Sequence, residues 1–446
     1  MLPAPVASRF AVRNDPTPVL DDAGPAPSEA QPGCRIAVLS MHTSPLEQPG
    51  SGDSGGLNVY VRKVAAEMAR RNVHSDIYTR RTSPDEPEVT TLAQGVRVIS
   101  VTAGPQRPVH KDRLPRLVKR FAAEVERLSA GFGSYELVHA HYWLSGVAGI
   151  HLKRSWKIPM AVSFHTLARV KDGASPQDSL EPLFRKRGED RVVRSADRVV
   201  AATPMERDQL VDLYGCDPAR IMIVPPGVDL DLFHPDGREE SRRRMGFGPH
   251  PTVVFVGRLQ PLKGPHVALG ALARLRHMVP DARLVIAGDE SPRGTWGERL
   301  RLHLTARRLG VTRRTTFLEP LPHDQLPHLY RAADVVVIPS ASESFGLVAL
   351  EAAACGTPVV ATAVGGLRRL VQDGQTGYLV TRRAAKPFAH ALSRVLADRE
   401  AAERLGSNAV MLASRFPWSA TTRGLLETYA SVMACRGVRA ALTGVG

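Results

Sequence analysis

Glu343 and Glu351, with seven residues between them in SESFGLVALEA, can hold the hydroxyls of a sugar and of a ribose. Arg258 and Lys263, five residues apart in FVGRLQPLKG, can neutralise a diphosphate. A cleft offering both kinds of group suits a nucleotide-sugar. The two cations would stabilise charge that develops on the diphosphate as its bond to the sugar breaks. A helix beginning within ESFGLVALEA would add backbone N–H groups for the same anion. Paired glutamates on an Ala-rich helix are often a solvated face. Here Phe345, Leu347, Val348 and Leu350 surround them, and Gly346 lowers helical propensity by ~1 kcal/mol. The functional reading is preferred.

Further candidates lie in the N-terminal half. GSGDSGG (50–56) contains a literal G-x-G-x-x-G at Gly50, Gly52 and Gly55. A dinucleotide site needs that motif directly after a strand, whereas TSPLEQPG intervenes here, which argues against NAD. Gly55 and Gly56 lack Cβ atoms, so a ligand can approach the backbone where the helix GLNVYV begins. Asp53 and Asn58 can bond sugar or cyclitol hydroxyls. His42 and His165 follow strands and would sit at the C-terminal sheet edge, where open α/β folds bind ligands.

The elements that must carry these groups alternate along the chain. CRIAVLSMH, HSDIYTR, VRVISV, YELVHAH, PMAVSFH and DRVVAAT read as strands, with helical stretches such as GLNVYVRKVAAEMARRN between several of them. That alternation implies a parallel sheet covered by helices on both faces. The Pro-rich IMIVPPGVDLDLFHP (221–235) breaks the pattern and marks an interdomain connection. PTVVFVGRL, ARLVIAGDE, TTFLEPL, ADVVVIPS and TPVVATAVGG then supply a second set of strands. FPWSATTRGLLETYASVMA closes the chain as an amphipathic helix. The expected layout is a disordered tail over 1–33, α/β domains over 34–225 and 226–415, and a final helix and tail over 416–446.

Hydrophobic content of 43% and charged content of 23% over 446 residues fit two soluble globular domains. No apolar run approaches the ~20 residues that span a bilayer, so stable membrane insertion is not expected. The net charge of +15 comes mostly from Arg spread along helical stretches among Leu and Ala. Nucleic acid is therefore not an expected partner. Cys34, Cys216, Cys355 and Cys435 have neither metal-ligand spacing nor a disulfide framework, which fits a reducing cytoplasm.

The words FVGRLxPxKG and ESFGLVxLEA resemble those of retaining glycosyltransferases of family 4. SMHTSPLEQPGSGDSGGLNVYV, HAHYWLSG and FHTLARVK resemble, within it, the D-inositol-3-phosphate glycosyltransferases of mycothiol biosynthesis in actinobacteria. The resemblance covers about residues 34 to 434. It implies a GT-B fold, two Rossmann-like domains facing a cleft, with the C-terminal helix crossing back to the N-terminal domain. It implies transfer of N-acetylglucosamine from UDP-GlcNAc to 1D-myo-inositol 3-phosphate by a cytoplasmic homodimer. His42, Gln48, Pro49, Gly56 and Leu321 would join Arg258, Lys263, Glu343 and Glu351 at the donor. Relatives often have Arg where this chain has Leu321, the uracil position. Ser54, Gly55, Gly56, Leu57, Asp53 and Asn58 would line the acceptor. Its phosphate would be read by Lys111, Tyr142, Thr166 and Arg185, two cations and two hydroxyls. RKRG also presents Lys186 and Arg187 beside Arg185. His165 would join Arg258, Lys263 and Glu343 at the reacting centre. A structural magnesium ion would lie on backbone oxygens of Tyr330, Arg331 and Ala333 with Thr357 nearby, and no organic cofactor is expected.

No carboxylate pair suggests a glycosidase-like double displacement, so the resemblance implies retention by front-face attack, the donor phosphate helping to take the acceptor proton. Alternatives are a transferase like sucrose-phosphate synthase or like a phosphatidylinositol mannosyltransferase. The latter would favour an amphipathic membrane-binding segment near the acceptor site, and none is evident in the N-terminal half. A binding module without turnover is disfavoured because Arg258, Lys263, Glu343 and Glu351 occur together.

Overall fold

The computed structural model describes residues 34–48, 50, 54–174, 181–290 and 297–433. The expected tail 1–33, Pro49, Asp53 and Cys435 lie outside the described residues.

Eight strands form the first sheet. They are β1 (Cys34–Leu39), β2 (Val73–Arg80), β3 (Val89–Ala93), β4 (Val96–Val101), β5 (Leu137–His141), β6 (Met160–Ser163), β7 (Arg198–Ala201) and β8 (Ile221–Ile223). Their order is β3-β4-β2-β1-β5-β6-β7-β8, parallel except for the β3–β4 pair. Side chains alternate across the pleat. Ala37 and Leu39 therefore join Val138 and Ala140 in one core, whereas Ile36 and Val38 join Val59, Val61 and Ile77 in the other.

The second sheet contains β9 (Thr252–Val256), β10 (Arg283–Ala287), β11 (Thr315–Leu318), β12 (Val335–Ile338), β13 (Val359–Thr362) and β14 (Gly377–Val380). It is parallel throughout, in the order β11-β10-β9-β12-β13-β14. Val254, Val336 and Ala361 face one core; Val253, Val337 and Val360 face the other. Burial on both faces explains why these strands read as continuous Val-rich runs.

β3, β8 and β14 were not expected as strands. β3 (VTTLA) is an exposed antiparallel edge with no apolar stripe. β8 spans three residues inside the Pro-rich stretch, and β14 follows the turn residues DGQTG.

The last helix, Trp418–Ala430, does cross back. Trp418, Leu425, Leu426 and Tyr429 are buried with Ile36, Val38 and Val59 of the first sheet's core. Tyr429 Oη lies 2.6 Å from His139 Nδ1 on β5, and Thr421 Oγ1 donates to the Pro225 carbonyl at 2.8 Å. Among the described residues no helix is long and apolar enough to cross a membrane.

Candidate active site

The C-terminal ends of the two sheets open onto one cleft. Tyr142 directly follows β5, and His165 and Thr166 follow β6. On the opposite wall, Gly257 and Arg258 follow β9, while Ser340 to Glu343 follow β12. Short loops at strand ends thus deliver most of the chemistry-bearing side chains.

On the C-terminal wall, Lys263 Nζ lies 2.7 Å from Glu343 Oε2, and Ser340 Oγ donates to the same oxygen at 3.4 Å. The Glu343 backbone is held by the Gly365–Gly366 turn after β13. Gly366 N–H donates to the Glu343 carbonyl at 3.1 Å. A Cβ on Gly365 (φ +47°) would lie 1.7 Å from that same oxygen, so only glycine fits. Glu351 lies on the helix Leu347–Ala354, which begins after Gly346 (φ +105°). It is 6% exposed, with Tyr330 Oη donating to Oε2 at 2.8 Å and His323 Nε2 3.0 Å from Oε1. Glu351 is thus a carboxylate fixed by two neighbours and open to the cleft along one edge.

On the N-terminal wall two residues adopt left-handed backbone, Tyr142 at φ +74° and His165 at φ +60°. Such conformations in large side chains cost ~1–3 kcal/mol each and gather at functional sites. His165 Nε2 lies 2.9 Å from His141 Nδ1, and Ser344 Oγ reaches across the cleft to donate to the His165 carbonyl at 2.5 Å. Burial holds the His165 imidazole down to about 4, so it is neutral at physiological pH. The Tyr142 ring packs on His42 at 4.3 Å between centroids and carries the Arg185 guanidinium 5.1 Å from its own centroid.

Arg185 is 4% exposed. Its Nε bonds Glu189 at 2.8 Å, its Nη1 pairs with Glu181 at 2.9 Å, and its Nη2 donates to Thr166 Oγ1 and the Thr166 carbonyl, each at 3.1 Å. Burial opposes its charge, but Tyr142, Glu189 and Glu181 outweigh burial and keep it protonated. Lys111 stands exposed at the rim.

The glycine loop divides in role. Gly55, Gly56 and Leu57 line the cleft, and Gly56 faces Leu347, whose Cδ1 would lie 2.9 Å from an added Cβ. Ser54 also borders the cleft, but its hydroxyl lies 3.1 Å from Thr43 Oγ1 and bonds Glu47. Asn58 lies behind the wall, fully buried, with Nδ2 donating to Thr43 Oγ1 at 2.9 Å and to the Ser44 carbonyl. It shapes the loop rather than meeting a ligand. Gln48 Nε2 spans the cleft to the Pro320 carbonyl at 3.1 Å, next to Leu321.

Residues 237–410 match the family model described as glycosyl transferases group 1, and residues 55–227 match the glycosyl transferase 4-like domain. A D-inositol 3-phosphate glycosyltransferase of Actinosynnema mirum is 49% identical over 403 residues, covering 89% of this chain and 96% of the relative. One from Nocardia farcinica is 47% identical, covering 90% of each. Among solved structures, sucrose-phosphate synthase from Thermosynechococcus elongatus matches with a TM-score of 0.84 at 32% identity, covering 89% of this chain and 98% of that one. The chain belongs to the D-inositol 3-phosphate glycosyltransferase family. It is a glycosyltransferase with the GT-B fold.

One cleft residue of this glycosyltransferase was not singled out from its sequence. Lys171, on the short helix Ala168–Ala174, lines the cleft beside Arg185, with Nζ 3.2 Å from Glu181 Oε1. Burial first, then the Arg185 and Arg258 charges, push its ammonium down to about 8, against the pull of Glu181. Glu181 stays ionised because Lys171, Arg185 and Lys111 outweigh its burial. The one available signal was Lys171 itself, at the end of FHTLARVK.

The segment expected to hold magnesium has other partners. The Tyr330 carbonyl accepts from Thr357 Oγ1 at 2.7 Å and from Ala333 N–H at 3.0 Å. Arg238 Nη1 donates to the Ala333 carbonyl at 2.6 Å and to that of Arg331 at 3.3 Å. The oxygens of Arg331 and Ala333 thus already face a cation, and they do not fit a divalent ion in this arrangement.

Proposed function

We propose that the enzyme transfers N-acetylglucosamine from UDP-GlcNAc to 1D-myo-inositol 3-phosphate with retention. The products are the α-linked N-acetylglucosaminyl inositol phosphate and UDP, the first step of mycothiol biosynthesis. What carries the reading is one cleft with two separate cationic sets. Arg258 and Lys263 suit the donor diphosphate; Arg185, Lys171 and Lys111, beside Thr166 and Tyr142, suit a second phosphate on the acceptor. The names of the relatives support that acceptor.

In this reading the start of the helix Leu347–Ala354 shares the diphosphate with Arg258 and Lys263. Glu343 exchanges part of its bond with Lys263 for hydroxyls of the transferred sugar, and Glu351 accepts from the ribose. The neutral His165 bonds a sugar hydroxyl and shields the reacting carbon from water. UDP leaves from the face by which the acceptor enters, and the acceptor proton passes to the departing phosphate oxygen. Buried free thiols at Cys216 and Cys355 accord with a reducing cytoplasm. A homodimer is the assembly we expect.

The direct test supplies UDP-GlcNAc and inositol 3-phosphate and follows UDP release and the new glycoside. Inositol 3-phosphate should outperform free inositol at least about a hundredfold, the effect of two charge-assisted hydrogen bonds. Equal use of both would remove the acceptor assignment. Sucrose phosphate formed when UDP-glucose and fructose 6-phosphate are supplied in place of that pair would instead favour the reading suggested by the synthase structure.

Acceptor binding should also weaken with rising pH. The phosphate favours protonated Lys171, and that proton is lost in the free enzyme at about 8. The acceptor KM should therefore rise from pH 7 to pH 9 while the donor KM stays flat. The phosphate itself is fully ionised across this range, its second pKa being about 6. Lys171→Met should show the high KM already at pH 7 and lose the pH dependence. A pH-dependent KM retained in that variant would exclude Lys171 as its origin.

A further inference from the structure

A helix C-terminus leaves carbonyl oxygens without intrahelical partners and carries the negative end of the helix dipole. At the end of the helix Leu326–Ala332 the carbonyls of Arg331, Ala332 and Ala333 are all met by guanidinium groups from one neighbouring helix, Arg238–Arg244. Arg238 bonds those of Arg331 and Ala333, and Arg242 Nη1 donates to that of Ala332 at 2.7 Å. Asp334 balances both, accepting from Arg238 Nη2 at 2.6 Å and from Arg242 Nη1 at 3.3 Å, with Thr252 N–H on it at 2.7 Å.

We propose that Arg238 fills the place of a divalent cation at this carbonyl cluster, and that through Tyr330 it fixes Glu351, so that the protein needs no metal there. A magnesium ion on the same oxygens would have to displace one guanidinium and sit beside another, with repulsion from both. A planar guanidinium also spreads its donors over diverging oxygens, as the Arg238 bonds to two carbonyls and a carboxylate show. The connection to the cleft is short. Tyr330 lies on the clamped helix, its carbonyl is tied to Thr357, and its Oη donates to Glu351 at 2.8 Å. Arg238 is therefore a positioning residue, with the side chains of Tyr330 and Glu351 between it and the ligand it serves.

The test uses the full chain. Thermal unfolding is followed without substrates, in EDTA and in millimolar MgCl2 with ionic strength matched by NaCl, for wild type, Arg238→Ala and Arg238→Lys. Wild type should melt at the same temperature in both. Arg238→Ala should melt earlier in EDTA and recover with MgCl2, and Arg238→Lys, which keeps one charge, should fall between. In kinetics, Arg238→Ala in EDTA should raise the donor KM roughly tenfold, as expected for losing one charge-assisted contact, with the acceptor KM unchanged. Earlier melting of wild type in EDTA would overturn the proposal. So would an Arg238→Ala protein with unaltered melting and donor KM, or one that Mg2+ leaves unrescued. If Arg238→Ala does not fold, the wild-type and Arg238→Lys melts decide alone. The KM readout rests on the donor reading above. The melting readout does not, so failure of one is distinguishable from failure of the other.

Discussion

Replacing Lys263 by alanine should lower kcat about 10²–10³-fold and leave the protein folded. The magnitude is that of losing one donor aimed at developing negative charge in a site shielded from water. The effect falls mainly on kcat because the diphosphate gains charge as the glycosidic bond breaks. The fold should survive because Lys263 and Glu343 are 24% and 20% exposed at the side chain and sit on loops between strands and helices. Arg258→Ala should behave alike. Glu343→Gln should reduce turnover by a separate route, losing the carboxylate that holds the sugar hydroxyls. Lys263 and Glu343 bond each other at 2.7 Å, so their double variant should cost less than the sum of the single losses. The measurement is initial-rate kinetics with saturating acceptor, accompanied by thermal melts. Near-normal turnover in both Lys263→Ala and Arg258→Ala would end the donor-site assignment.

The donor wall was readable because its residues are close in sequence. Arg258 and Lys263 belong to one strand-end turn, and Glu343 and Glu351 to one loop and helix, so spacing alone carried the chemistry. The supports of those residues were not readable. Gly365 abuts Glu343 from another strand's loop, and Tyr330 and His323 reach Glu351 from a separate helix and turn. Such partners are set by packing between elements distant in the chain. Asn58 shows the opposite failure. Its amide suits a ligand hydroxyl, yet the helix phase turns it inward, where Thr43 and Ser44 take its hydrogens. In the fold, buried Val-rich strands announced themselves, whereas the exposed β3 and the three-residue β8 lacked the apolar pattern that periodicity detects. Lys171 illustrates the limit for charges. A lysine on a helix is usually solvated, and only burial in the folded cleft, with the Arg185 and Arg258 charges near it, gives it a depressed pKa.

Arg185→Ala should lose stability and acceptor binding together, whereas Lys111→Ala should lose only acceptor binding. Arg185 is bonded to Glu189, which is fully buried. Removing the guanidinium leaves that carboxylate without its cation, a change worth ~3–5 kcal/mol of stability. Glu189 keeps hydrogen bonds from Ala168 N–H at 3.0 Å and from Tyr214 Oη, but neither neutralises it. Lys111 is exposed at the rim and acts on the partly buried Glu181 only through its charge, without a direct ion pair, so its loss should leave urea unfolding nearly unchanged while raising the acceptor KM about tenfold. The double variant Arg185→Ala with Glu189→Gln separates the two roles of Arg185. Neutralising Glu189 should restore much of the stability, because no buried charge is then left unpaired. Acceptor binding should stay weak, because the guanidinium that meets the phosphate is still missing. Urea unfolding and acceptor KM measured on the same four proteins decide the matter. If the stabilised double variant bound inositol 3-phosphate as wild type does, Arg185 would be a structural cation only, and recognition of the phosphate would rest on Lys111 and Lys171.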